Sequence, residues 1–119
     1  MTTARMRHAM VHVEGKVYVF GGTSARGALI HCEVYTMKDD DWKSIASLPS
    51  ATEWATATVY LNEIWIAGEW NKILAYDYSA NKYRETWLLS GSYAVMIRHR
   101  TSLYIITSGS KTIQVTTGY

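Results

Sequence analysis

Apolar residues run along this chain in short stretches bounded by Gly, Asn, Asp, Ser or Lys. "AMVHV", "VYVFG", "CEVYTM" and "WKSIA" are rich in β-branched and aromatic residues, the composition of strands. Several hold apolar residues at consecutive positions, as from Val17 to Phe20. Strands of that kind are covered on both faces, as where sheets stack. The 3.6-residue period of an amphipathic helix is absent. "EGK" and "LNE" read as tight turns between strands, and Asp39-Asp40-Asp41 reads as a turn of hydrated carboxylates. The pattern predicts strands at about 8–13, 17–21, 32–37, 42–46, 56–61, 64–68, 73–78, 83–88, 94–99 and 103–107.

The pattern also repeats. "RHAMVHVEGKVYVFGG" (7–22) aligns with "WATATVYLNEIWIAGE" (54–69) at an offset of 47, so that Tyr18 falls on Trp65 and Gly21 on Gly68. "EVYTMKDDDW" (33–42) aligns with "LAYDYSANKY" (74–83) at an offset of 41, so that Tyr35 falls on Tyr76 and Trp42 on Tyr83. The change of offset is six residues in the loop after the glycines, long in the first unit ("TSARGALI") and nearly absent in the second ("NK"). A third copy begins at "YAVMIRHRTSLYIITS" (93–108), offset by 39 from the second. Four short strands recurring every 40 to 50 residues is the pattern of a β-propeller blade.

The order within the first unit is a strand, a second strand ending in Gly21-Gly22, a variable loop, Tyr35, Trp42 and then Leu48-Pro49. This order resembles the kelch repeat. The second unit has Gly68-Glu69 in place of the pair, and the third has Thr107-Ser108. The resemblance implies an all-β fold: an incomplete kelch-type propeller of two four-stranded antiparallel blades and part of a third. The blades fall at about 6–49, 52–90 and 93–119. It implies that Gly21, Gly22 and Gly68 end second strands, and that Tyr35, Trp42, Tyr76 and Tyr83 pack within and between blades. On that reading Tyr35 and Trp42 are largely buried, and Trp42→Ala costs about 3–5 kcal/mol. A propeller closes with ~4–8 blades. The chain is therefore read either as a piece of a longer kelch protein, the preferred reading, or as a short one that stacks with other copies.

Composition narrows the function. With 119 residues, 48% of them hydrophobic and 18% charged, the chain fits one ordered domain and is too broken by charge for a membrane-spanning helix. "MTTARMRHAM" has no apolar core of signal-peptide length, so export is not expected. Cys32 is the sole cysteine, which fits a reducing, cytoplasmic setting. A net charge of +2, with small basic clusters at Arg5, Arg7, His8 and at Arg98, His99, Arg100, is no nucleic-acid signature. His8 and His12 lie four apart on a strand, and His31 adjoins Cys32, but neither pair has the further ligands of a metal site. No catalytic motif, cofactor or metal is expected.

What remains is protein binding. Variable loops on a rigid scaffold are where binding concentrates. In kelch propellers the loops after the second strand and between blades commonly form the contact surface. Carried over by position, that points to Ser24, Arg26, Glu53, Trp54, Trp70, Asn71 and Tyr93. The kelch-like family often uses such a propeller to hold substrates for a cullin ubiquitin ligase through separate BTB and BACK domains, and neither of these is visible here. The alternatives are part of a kelch-propeller enzyme, galactose-oxidase-like or sialic-acid-epimerase-like, and a structural module that self-associates through open blade faces.

Overall fold

The structure, a computed structural model, describes residues 4–6, 8–52, 55–68, 72–88, 94–99, 102–107 and 112–116. Three blade-like sheets carry the fold, and no helix occurs among the described residues. The first sheet is antiparallel in the order β1 (Ala9–Val13), β2 (Lys16–Phe20), β5 (Cys32–Thr36) and β6 (Asp41–Ile45). Between β2 and β5 stands a small hairpin, β3 (Thr23–Ser24) and β4 (Gly27–Ala28). The second sheet repeats the order with β7 (Thr56–Tyr60), β8 (Glu63–Ala67), β9 (Lys72–Asp77) and β10 (Lys82–Leu88). The third comprises β11 (Ala94–His99), β12 (Ser102–Thr107) and β13 (Thr112–Thr116). All ten predicted strands are present; β3, β4 and β13 are additions.

The turns follow from their residues. Glu14-Gly15 and Leu61-Asn62 close two-residue hairpins with positive φ at both positions, as the type I′ turn requires. Asp40 and Asn81 take equivalent places before β6 and β10 and share positive φ, 48° and 55°.

The two complete sheets stack face to face. Ala9, Val13, Tyr18, Phe20 and Cys32 of the first meet Ile64, Ile66, Leu74 and Tyr76 of the second in one buried cluster. Tyr76 stands edge-on to Phe20 at 5.5 Å, and Tyr83 does so at 6.5 Å. Two side chains, Asn81 and Tyr83, lock the outer strands. Asn81 Oδ1 accepts from Ala46 N at 2.9 Å and from Tyr76 Oη at 2.7 Å, while Tyr83 Oη donates to Ala46 O at 2.7 Å. Trp65, on the opposite face of β8, is 4% exposed, and β11 of the third sheet lies against β7 and β8.

Tyr35 and Trp42 depart from expectation. They pair across β5 and β6 with rings 5.2 Å apart, and Tyr35 Oη donates to Asp40 at 2.5 Å, as Tyr76 does to Asn81. Both are only half-buried. The reason is positional: Tyr76 and Tyr83 face the first sheet, whereas Tyr35 and Trp42 face away from the second, where no sheet among the described residues covers them.

The glycines sit where chain segments cross. At Gly21, with φ +61°, a Cβ would stand 2.9 Å from Thr52 O and 3.1 Å from a Leu48 methyl. At Gly68 it would collide with the Thr52 hydroxyl. The segment joining the sheets thus threads between the glycines that end β2 and β8. Absence of a side chain there is a condition of stacking.

Candidate protein-contact edge

The edge where β2 ends and β5 begins gathers the loop hairpin, the joining segment and the approach to β1. The hairpin turns at Ala25-Arg26, where Ser24 Oγ accepts from Arg26 N at 3.1 Å and Gly27 takes φ +107°. It is tied on two sides. Met6 and Thr23 exchange backbone hydrogen bonds at 3.0 and 2.7 Å, while Leu29 O accepts from Thr52 N at 3.3 Å. Six extra residues therefore form a braced projection rather than a loose loop. Arg26 is exposed at its tip and Ser24 is half-buried at its base.

Beneath the hairpin lies Arg5, which sequence reasoning placed in a surface cluster. Its side chain and that of Glu33 are both 0% exposed and pair at 3.0 Å. The guanidinium also donates to Gly21 O at 2.9 Å and His31 O at 2.7 Å. Its remaining contact is with His31 Nδ1 at 2.9 Å. An arginine only donates, so Nδ1 accepts, and Nε2 carries the proton that it gives to Ser44 Oγ at 2.9 Å. The signal for this pair was Glu33, a carboxylate where the second unit has Leu74: buried charge needs a partner. An open depression of about 400 Å³, lined by Ala4, Arg5, Met6, Thr23, Ser24 and Ala25, lies beside the hairpin.

Of the seven residues carried over by position, the structure brings Ser24 and Arg26 together. Glu53, Trp54, Trp70, Asn71 and Tyr93 lie outside the described residues. His31 and Cys32 point to opposite faces: Cys32 is buried toward the second sheet, and burial raises its thiol pKa. Cys32 Sγ lies 3.3 Å from Tyr83 Oη. A galactose-oxidase-like centre needs that pair joined covalently beside copper ligands. Among the described residues no three His, Cys, Asp or Glu side chains converge. His8, whose pKa is lowered by burial and then by Arg5, keeps Nδ1 buried without a hydrogen-bond partner.

Comparison with known proteins decides what the stacked units are. Residues 4–49 match the kelch motif, the span of the first sheet with its approach segment and hairpin. The chain belongs to the kelch-repeat family. It is 30% identical over 88 residues to Kelch-like protein 36 of Bos taurus and 31% identical over 100 residues to Kelch-like protein 15 of Homo sapiens. The matches take in 74% and 71% of this chain, but 13% and 16% of those relatives. Kelch repeat and BTB domain-containing protein 2 of Homo sapiens is 32% identical over 68 residues, 56% of this chain and 11% of that protein. This kelch chain thus spans a small fraction of the length of the curated relatives it matches.

Proposed function

We propose that this kelch chain is a protein-binding module, the partner-recognition part of a larger kelch-like protein of the ubiquitin-ligase adaptor kind, acting in the cytoplasm without cofactor or catalysis. The observation that carries the reading is the hairpin at 23–28. The strands of the first two units keep register, yet the first unit adds six residues, braces them on Met6 and Thr52, and exposes Arg26 at their tip. Added loop length costs little in closure entropy, so it is available for recognition. Arginine and tryptophan are the residue types that most often anchor interfaces. The partner contact is assigned to this edge, with Arg26, Ser24 and the sequence-predicted Trp54 and Trp70 as its anchors. The buried free thiol of Cys32 supports the reducing compartment.

The test uses the chain as bait for affinity capture, followed by titration of the captured protein. Arg26→Ala and Trp54→Ala, each checked for unchanged unfolding, are expected to weaken binding by about 1 kcal/mol or more, roughly fivefold. If both bind as tightly as the unsubstituted chain, the edge is not the contact surface.

A further inference from the structure

A second opening lies at the other end of the sheets from the hairpin. The hairpin follows the last residue of β2, whereas this crevice sits by its first, between the Glu14-Gly15 turn and the chain leaving β9. Its volume is about 250 Å³, and Val13, Glu14, Lys16, Tyr18, Tyr78 and Ser79 line it. Asp77 fixes the wall on the second sheet: its Oδ1 accepts from Ser79 N at 2.9 Å and from Ala80 N at 3.2 Å. The rings of Tyr18 and Tyr78 meet with centroids 6.0 Å apart. Both sheets that form the crevice have all four strands described, so it owes nothing to any further blade. Its polar groups are unused. Tyr18 is only 6% exposed, yet among the described residues nothing hydrogen-bonds its hydroxyl. Burial, then Tyr78 and Glu14, raise its pKa, so the phenol keeps its proton and can donate. Glu14 and Lys16, on either side of Gly15, are both exposed, and among the described residues neither has an ion-pair partner.

We propose that this crevice binds a free α-amino acid with an apolar side chain. Glu14 takes its ammonium, Lys16 and the Tyr18 hydroxyl take its carboxylate, and Val13 and the Tyr78 ring take its side chain. The charges decide the ligand class: a carboxylate and an ammonium beside one small space match a molecule that carries both signs on neighbouring atoms. Each contact is then a charge-assisted hydrogen bond. The size agrees, since the crevice falls below the ~300–1,000 Å³ of sites for drug-sized ligands. Exposed ion pairs contribute little each, so the dissociation constant is on the order of 1 mM. The hairpin with Arg26 lies at the opposite end of the sheets, so this site and the proposed partner edge stand or fall separately.

Amide NMR of the full chain titrated with L-phenylalanine tests the proposal. Saturable shifts are expected at Glu14, Gly15, Tyr18, Tyr78 and Ser79, and none at Ser24 or Arg26. N-acetyl-L-phenylalanine lacks the ammonium and L-phenylalaninamide lacks the carboxylate, and each should bind at least about threefold more weakly to the unsubstituted chain. Glu14→Gln, Lys16→Met and Tyr18→Phe should each weaken phenylalanine by a similar factor, with an unchanged amide spectrum elsewhere to show that the variant is folded. Three results overturn the proposal: no saturable shift at the solubility limit of phenylalanine; equal binding of all three compounds, as an adventitious aromatic contact would give; or an amide that binds as well as phenylalanine and tightens in Lys16→Met, which would make the crevice a site for cations.

Discussion

Thr52 shows what a single position does in this fold. It is 2% exposed, it gives its carbonyl to Gly22 N at 2.8 Å, and its atoms fill the space that a Cβ on Gly21 or Gly68 would need. At Gly68 the conflict is with the Thr52 side chain alone, so Gly68→Ala is an overpacking change. It should cost about 1–3 kcal/mol in urea unfolding. Thr52→Ala placed beside it should recover part of that loss. The tyrosines give a second residue-scale expectation. Burial, and then the neighbouring Tyr18, Cys32 and Asp77, push the Tyr76 pKa up to about 12, and burial drives Tyr83 up as well. A phenol whose folded pKa lies above its unfolded value of about 10 contributes stability below that value and loses it as pH rises through the folded one. Stability should therefore fall between about pH 10 and about pH 12, and Tyr76→Phe should flatten part of that fall.

Between elements, stacking is set by a recurring trio: a tyrosine, an Asx five residues on and an aromatic two beyond it. In the second unit these are Tyr76, Asn81 and Tyr83, and the last two hold both backbone groups of Ala46 at the end of β6. Asn81→Ala frees the Ala46 N–H, so amide exchange at Ala46 should accelerate while exchange within β8 stays slow. The trio was legible in part. The spacing of Tyr35 to Trp42 and of Tyr76 to Tyr83 is plain in the sequence, and it fixed strand order and register. The sequence reads Asp40 as a turn residue only and does not single out Asn81, because a side chain that bridges to a neighbouring sheet, as Asn81 does, looks the same in sequence as one facing water. The short β3–β4 hairpin was read as a loop, since its order comes from pairing with Met6 and Thr52, far along the chain.

At the scale of the molecule, equivalent places in a repeat have unequal environments. Among the described residues the first sheet has another sheet stacked on one face only, so burial cannot be read from repeat position alone. That is why Trp42 is half-buried while Tyr76 is 1% exposed. It is also why Arg5 was missed: its partners Glu33 and His31 come together only when the approach segment folds over the edge of the first sheet. The second blade docks onto the first through Tyr76 and its neighbours, and this docking holds the edge at which a partner is proposed to bind. Urea unfolding of Tyr76→Ala beside Trp42→Ala, at a concentration where single copies prevail, tests that most directly. Tyr76→Ala should lose about 3–5 kcal/mol as a large core truncation, and Trp42→Ala, half-exposed, only about 1–2 kcal/mol. Equal losses, or a Tyr76→Ala chain that unfolds at the same urea concentration as the unsubstituted one, would contradict it.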